Sequence, residues 1–239
     1  MKLPNEIKAS DQTSLAENEV FSKLRQIGLS ESRLPAWMVQ ERDHASEMPT
    51  AHLTQIHGTE VICADTWNPT LSMQGDGLFR KHSLQKMAIQ TADCLPVILW
   101  DLESPFTMVL HAGWRGLASG IIENGIQILK ESAKTNHVVV CLGPCIQQKS
   151  FEVGQEVIDS FCQNQLLGKN EPSAYSIPNP SETGKYFLDL QQAARMILEQ
   201  LGISPQNIVT HSSCTFLNED FPSYRRMKGK ETKRLLTIV

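Results

Sequence analysis

Short apolar runs typical of β-strands alternate with segments of helical periodicity from residue 52 to the end of the 239-residue chain. The predicted strands are residues 53–56, 60–64, 86–91, 97–100, 107–110, 138–142, 208–211 and 235–239. The predicted helices are residues 17–28, 116–133, 151–161 and 188–201, the last with Asp189 as its N-cap. This alternation predicts an α/β (α+β) fold, a single layered domain in which helices flank a mixed β-sheet.

The first 50 residues differ from the rest of the chain because they are polar and interrupted by Pro35 and Pro49. We predict an irregular N-terminal segment at residues 1–50, docked on a catalytic domain that spans residues 51–239. Within that domain, residues 168–186 contain three prolines and many polar residues, which predicts a loop.

Composition and charge argue against several function classes. The net charge of -4 and the pI of about 6.0 are unlike those of a protein that binds nucleic acid through phosphate contacts. The apolar runs are shorter than a bilayer crossing, and the N-terminus lacks a secretory signal. The six cysteines are too widely spread for a disulfide scaffold. We therefore expect a cytoplasmic protein without nucleic-acid or membrane partners. For the oligomeric state we expect a monomer or weak homodimer.

Residues 91–116 bring several reactive groups together. Cys94 stands between two predicted strands, and His111 ends a strand before a glycine-containing turn. The helix that follows is predicted to begin at Gly116, where free N–H groups and the positive end of the helix dipole suit an anion. Arg115 lies in the same turn. The segment therefore offers a thiol, an imidazole, a guanidinium and an anion-binding helix end.

A third candidate ligand, His57, also follows a predicted strand and precedes a glycine. Two imidazoles and one thiolate can bind zinc and leave a fourth position open, as a catalytic site requires. Zinc lowers the pKa of bound water towards ~7. The ligands are 37 and 17 residues apart, so spacing alone also allows packed histidines and a buried apolar cysteine. Cys145, in a Gly-Pro turn, is expected to line the pocket.

Eight sequence blocks that run in order towards the C-terminus resemble the YfiH family, also described as laccase-domain or multicopper polyphenol oxidase proteins and as purine nucleoside phosphorylases. The blocks are QIHGTEV (55–61), GDGLF (75–79), TADCLPVILWD (91–101), HAGWRGLASGII (111–122), LGPCI (142–146), FEVG (151–154), FLDL (187–190) and SCTFLNEDFPSYRR (213–226). The resemblance implies a YfiH-like fold and Zn²⁺ as cofactor, with His57, Cys94 and His111 as the metal ligands.

The resemblance also implies an activity. The family is assigned phosphorolysis of adenosine, inosine, guanosine and methylthioadenosine, together with hydrolytic deamination of adenosine. Purine nucleosides and phosphate are then the partners. Cys94, His111 and Arg115 are the residues we expect to be catalytic.

Substrate or phosphate binding is expected from four residues: Arg115, Gly116, Cys145 and Arg225. The tail departs from the Gly-Arg pair that is usual in the family, because Lys233 precedes Arg234. This departure argues against a phosphate role for Arg234.

The same residues allow two other functions. Cys94 could be the nucleophile of a metal-independent hydrolase with His111 as its base. For such a hydrolase, the family resemblance implies editing of peptidoglycan precursors as a candidate reaction. Alternatively, the chain could be a non-catalytic zinc-binding protein, in which Cys145 or His211 supplies a fourth ligand and closes the site.

Overall fold

The computed structural model describes residues 11–41, 50–133 and 137–239 of the chain. Its helices are α1 (Asp11–Ile27), α2 (Trp114–Ser119), α3 (Ile121–Ser132), α4 (Gln155–Gln163) and α5 (Leu190–Gln200). Its strands are β1 (Ala36–Glu41), β2 (Val61–Cys63), β3 (Gly77–Arg80), β4 (Ala88–Thr91), β5 (Leu95–Asp101), β6 (Thr107–Ala112), β7 (Val138–Leu142), β8 (Glu152–Gly154), β9 (Ser176–Pro178), β10 (Lys185–Leu188), β11 (Ile208–Thr210) and β12 (Lys233–Ile238).

The centre of the fold is a six-stranded sheet in the order β11-β7-β5-β6-β3-β2. The outer pairs β11–β7 and β2–β3 are parallel, and the inner pairs are antiparallel. Every residue of β5, β6 and β7 is buried, which explains why their sequences are continuous apolar runs instead of alternating ones. The predicted mixed sheet is confirmed.

Helices cover both faces of this sheet. On one face, Ile122 and Ile126 of α3 pack in the same buried cluster as Leu110 of β6. On the other face, Leu24 of α1 is fully buried in a cluster that includes Trp100 of β5. The layered α/β architecture predicted from the sequence is therefore confirmed.

A second sheet of three strands combines a strand from the N-terminal part of the chain with one from its C-terminal part. Strand β12 pairs antiparallel with both β1 and β4. Within the N-terminal segment that we predicted to be irregular, the helix predicted at residues 17–28 is confirmed as α1, which begins earlier, at Asp11, whereas strand β1 was not predicted. Strand β1 lies at the edge of this sheet and covers only one face with apolar side chains. The alternation of Trp37 and Val39 with more exposed residues was therefore a weak sequence signal for a strand. The domain boundary near residue 50 stays a prediction.

Four other predicted elements need correction. The helix predicted at 151–161 begins only at Gln155, because residues 152–154 form β8. Residues 53–56 are not a strand, since only Thr54 forms an isolated bridge there. The predicted helix at 116–133 is broken at Gly120, whose φ of +97° ends α2 and begins α3. The predicted loop at 168–186 contains β9 and the start of β10. By contrast, the N-cap at Asp189 is confirmed, because its Oδ1 accepts from the Gln192 N–H at 2.9 Å.

No helix in the described part of the chain is long and apolar enough to cross a lipid bilayer.

His211, directly after β11, is a fully buried histidine. Its ring lies edge-on to Trp37, with 5.2 Å between the ring centroids, and its Nδ1 accepts from the Ser213 N–H at 3.1 Å. Burial disfavours the charged imidazolium and lowers the pKa of His211 from 6.5 to about 4, although Glu19 acts weakly in the opposite direction.

We expect His211 to make the protein sensitive to acid. Below pH 6.5 the unfolded chain takes up a proton at this position and the folded chain does not, so stability is lost as the pH falls towards 4. The advantage of the native protein over His211→Asn, whose amide oxygen can replace Nδ1 as acceptor, should shrink by about 3 kcal/mol between pH 7 and 4. Urea unfolding at several pH values measures this difference, and a constant difference would contradict the assignment.

Candidate metal centre and cleft

Three side chains that are remote in sequence converge in the structure: His57, Cys94 and His111. One ligand atom from each lies within 4.8 Å of the others. The two imidazole rings are 4.8 Å apart between centroids and are inclined at 71°. His111 is buried, Cys94 is partly buried and His57 is exposed. Such a group can hold one metal ion that remains accessible from solvent.

The central sheet places two of these ligands side by side. His111 lies near the end of β6 and Cys94 directly precedes β5, its antiparallel neighbour. Gly113 leaves room for both a thiol and an imidazole, because an added Cβ there would lie 2.9 Å from the Cys94 Sγ and 3.2 Å from the His57 ring. A glycine is therefore required beside the candidate metal centre.

The third ligand is positioned by a buried carboxylate, Asp76. Its Oδ1 accepts from the His111 Nδ1–H at 2.8 Å and from the His57 N–H at 2.9 Å. Its Oδ2 accepts from the backbone N–H groups of Ile56 and Gly58 at 3.2 and 2.7 Å. Burial alone would raise the pKa of Asp76, but the hydrogen bonds from His111, Gly58 and His57 hold it below its usual value. One ionised carboxylate thus orients two of the three ligands.

Cys94 and His111 shift each other's pKa towards the charged forms, a thiolate and an imidazolium. Burial would raise the pKa of the Cys94 thiol, yet the adjacent His111 and His57 lower it to about 6. Burial would lower the pKa of His111, yet Cys94 and Asp76 raise it to about 9. At neutral pH without a metal the pair is therefore a thiolate beside an imidazolium. The thiolate is the form that binds metals and attacks electrophiles.

The cluster lies in a cleft of about 730 Å³, a volume suited to a small molecule. Its apolar wall is formed by Leu53, Trp114, Ile146, Phe151, Leu190 and Tyr224. Its polar lining includes Thr54, Gln55, Gln90, Thr91, Asp93, Arg115, Arg225 and Arg234.

Two of the cleft arginines rest on aromatic rings. The Arg115 guanidinium lies 4.3 Å from the ring centroid of Trp114, and that of Arg225 lies 5.3 Å from Phe151. The Arg225 Nη1 also donates to the Glu152 carbonyl oxygen at 2.9 Å. Cation–π contacts of this kind restrict both arginine side chains.

Two residues that we expected in the cleft, Gly116 and Cys145, are not among the residues that line it, and their roles in substrate or phosphate binding stay predictions. Gly116 does not line it, because α2 begins at Trp114, spans only six residues and buries Gly116. An added Cβ at Gly116 would meet the Gly58 carbonyl oxygen at 2.8 Å, so this glycine allows the helix to pack against the His57 loop. Cys145 is fully buried, its backbone forms an isolated β-bridge with Cys214, and both cysteines are free thiols.

Other features of the site were missed or undervalued in the sequence. Asp76 resembled an ordinary turn residue, and nothing local indicated its hydrogen bond to a histidine 35 positions away. Arg234 lines the cleft although Lys233 replaces the glycine that is usual before it. Neither Cys145 nor His211 joins the metal-binding group found among the described residues.

The fold and the site together define an α/β protein with a candidate His-Cys-His metal centre in a small-molecule cleft. Residues 36–239 match the family model described as multi-copper polyphenol oxidoreductase laccase, and the chain belongs to this family.

Relatives and solved structures agree with this assignment. The chain is 33% identical over 188 residues to a purine nucleoside phosphorylase from Haemophilus influenzae, covering 78% of this chain and 72% of the relative. It is 32% identical, with the same coverage, to the purine nucleoside phosphorylase YfiH from Escherichia coli. The crystal structure of Neisseria meningitidis protein NMB0706 matches with a TM-score of 0.68 and 33% identity, covering 80% of this chain and 75% of that one. The resemblance to the YfiH family is confirmed.

Replacing Asp76 by Asn should weaken metal binding. All four groups that face the carboxylate are N–H donors, and an amide nitrogen cannot accept from them. We expect the affinity for Zn²⁺ to fall about 10- to 100-fold, as is usual when a group that orients a ligand is lost. Competition titration with a chromophoric chelator measures this affinity.

Asp65 provides a matched control, since its carboxylate also accepts from consecutive backbone N–H groups, at residues 81–83. Asp65→Asn should lower stability and leave the affinity for Zn²⁺ unchanged. Equal affinities in Asp76→Asn and the native protein would disprove the role of Asp76.

Proposed function

We propose that the chain is a zinc-dependent purine nucleoside phosphorylase that acts on adenosine, inosine, guanosine and methylthioadenosine and also deaminates adenosine. The observation that carries the proposal is the convergence of His57, Cys94 and His111 in a cleft lined by arginines. The names of the relatives from Haemophilus influenzae and Escherichia coli support the reaction class.

The donor set fits zinc. His57, Cys94 and His111 would hold the ion through two nitrogens and one sulfur, a combination found in catalytic zinc sites. The group contains no fourth protein ligand among the described residues, which favours an open site over a closed structural one. When bound, zinc supplies Lewis-acid polarisation of a substrate or water oxygen. Because ionised Asp76 only accepts hydrogen bonds, His111 donates from Nδ1 and keeps Nε2 for the metal.

The arginines of the cleft suit phosphate. In phosphorolysis, a phosphate oxygen forms a bond to C1′ of the ribose while the bond from C1′ to the purine breaks, and the departing purine takes a proton. Arg115 and Arg225 would bind the phosphate and offset its charge, since a guanidinium can donate two parallel hydrogen bonds to it. A donor already in position for the transition state is worth ~3 kcal/mol. These residues therefore orient the nucleophile.

The aromatic residues of the same cleft suit a purine. Tyr224 lines the cleft and is 55% exposed, so its ring offers a face on which a base can stack. In deamination, water would replace phosphate as the nucleophile, its oxygen would bond to C6 of adenosine, and ammonia would leave. A cleft that accepts both phosphate and water accounts for two reactions of one substrate.

Cys94→Ala tests the proposal. Loss of the thiolate leaves two imidazoles, so we expect less than about one tenth of the native zinc content and at least a 100-fold lower rate of inosine phosphorolysis, to order of magnitude. Elemental analysis and a phosphate-dependent assay of hypoxanthine release measure the two quantities. Cys63→Ala, at another partly buried cysteine, should retain both. Native zinc content and activity in Cys94→Ala would refute the proposal.

A metal-independent cysteine hydrolase, with peptidoglycan precursors as candidate substrates, is the second candidate. The observation that favours it is the proximity of the Cys94 thiol to the His111 imidazole, which lowers the pKa of the thiol to about 6 and raises that of the imidazole to about 9. A nucleophilic thiolate paired with histidine has these properties.

Alkylation by iodoacetamide, with and without prior removal of metal by a chelator, separates the two candidates. If zinc occupies the site, it shields the Cys94 thiolate, so we expect the chelator to abolish phosphorolysis and to accelerate alkylation of this residue. Peptide mass spectrometry measures the modification. The hydrolase would instead keep its activity after chelation and lose it on alkylation.

A further inference from the structure

Asp93, directly before the ligand Cys94, has an unusual conformation for a buried carboxylate. It is 8% exposed, and its φ of +88° lies in the left-handed region that favours glycine. A non-glycine residue persists in this conformation when its surroundings hold it there. The contacts of its carboxylate show what those surroundings are.

Both oxygens of Asp93 accept hydrogen bonds from one distant part of the chain. Oδ1 accepts from the Thr215 hydroxyl at 2.7 Å. Oδ2 accepts from the Ser223 hydroxyl at 3.0 Å and from the Arg225 backbone N–H at 2.7 Å. We call residues 215–226 the C-terminal loop. The residue that precedes a metal ligand is thus attached to this loop at three points.

The C-terminal loop is itself closed by Arg226. Its guanidinium donates to the carbonyl oxygens of Thr215, Phe216 and Phe221 at 2.8, 2.9 and 2.6 Å. Its backbone N–H donates to the Ser223 hydroxyl at 3.1 Å, the same hydroxyl that donates to Asp93. Because the loop is held together internally, its attachment to Asp93 positions the loop as a unit.

Two residues of the loop line the cleft: Tyr224 and Arg225. Arg225 is held at its backbone and at its guanidinium. The backbone N–H donates to Asp93. The guanidinium lies over the Phe151 ring and donates to the Glu152 carbonyl oxygen. A guanidinium has five N–H groups, and this contact with Glu152 uses one. The bond at Asp93 thus connects the backbone of Arg225 directly to the residue next to Cys94.

We propose that Asp93 is a positioning residue that couples the Cys94 segment to Arg225 and so sets the affinity of the cleft for phosphate. This inference rests on the proposed function, which identifies phosphate as the anion. A carboxylate that only stabilised the fold would affect the free energy of unfolding and leave the phosphate affinity of the folded protein unchanged. Phosphate affinity of folded variants is therefore the quantity to measure.

The test compares substitutions at Asp93 that preserve its backbone. Asp93→Gly removes the carboxylate, and glycine adopts a positive φ without strain. Asp93→Asn restores an oxygen for the Arg225 N–H, while its amide nitrogen can donate to a rotated Thr215 hydroxyl, and asparagine tolerates this φ. Thr215→Val removes only the bond to Oδ1 and leaves the bond to Arg225.

Inorganic phosphate is titrated calorimetrically into the zinc-loaded proteins, and KM is measured separately for phosphate and inosine. For Asp93→Gly we expect the Kd and KM for phosphate to rise about tenfold or more, because a charge-assisted contact loses its alignment. The KM for inosine should change less than about threefold, and zinc content should equal that of the native protein. Asp93→Asn should recover most of the phosphate affinity, and Thr215→Val should lose less of it than Asp93→Gly.

Native phosphate affinity in folded Asp93→Gly would overturn the proposal, as would failure of the native protein to bind phosphate. If Asp93→Gly does not fold, Ser223→Ala provides the test instead. This substitution removes a hydrogen-bond donor to Asp93 and the acceptor of the Arg226 N–H. An unchanged Kd for phosphate in Ser223→Ala would then overturn the proposal. If phosphate binding changes as expected but the native protein releases no purine, the positioning role stands and the proposed function fails.

Discussion

The geometry of the candidate metal centre depends on one buried carboxylate, that of Asp76. Four N–H groups donate to it, one from the His111 ring and three from the backbone at residues 56–58. A buried charge is tolerated when it is hydrogen-bonded in this way. The same carboxylate fixes the tautomer of His111 and the loop that carries His57, so two ligands from separate parts of the chain keep a common geometry. Gly113 leaves room for this arrangement beside Cys94.

A second carboxylate, Asp93, directly precedes Cys94 and has the corresponding role in our proposal. Its oxygens accept hydrogen bonds from the C-terminal loop. Those of Asp76 accept from the His111 ring and from the backbone at residues 56–58. Both carboxylates accept hydrogen bonds from within the protein, and the cleft lining also carries the guanidinium groups of Arg115 and Arg225. A cation-binding centre beside positioned guanidinium groups suits a reaction between a phosphate and a neutral nucleoside. This is the physical basis of the proposed phosphorylase.

The sequence predicted those features that depend on burial. Residues 138–142 form a strand with the predicted bounds, because an apolar run directly reflects coverage of both faces. The edge strand at 36–41 was missed, since one covered face produces a weak pattern. The three candidate ligands were selected from their places beside predicted strands, and the family resemblance, not their spacing, supported grouping them. The hydrogen bonds of Asp76 left no local signal, because a pairing across 35 residues depends on the register of β3 and β6.

X-ray absorption spectroscopy at the zinc edge of the purified protein tests the central claim most directly. The account predicts about one zinc per chain, with one sulfur at about 2.3 Å and two imidazole nitrogens at about 2.0–2.1 Å, and a further light atom in the open position. A spectrum without a sulfur neighbour, or with two or more sulfur neighbours, would contradict the assignment of His57, Cys94 and His111 as the ligands.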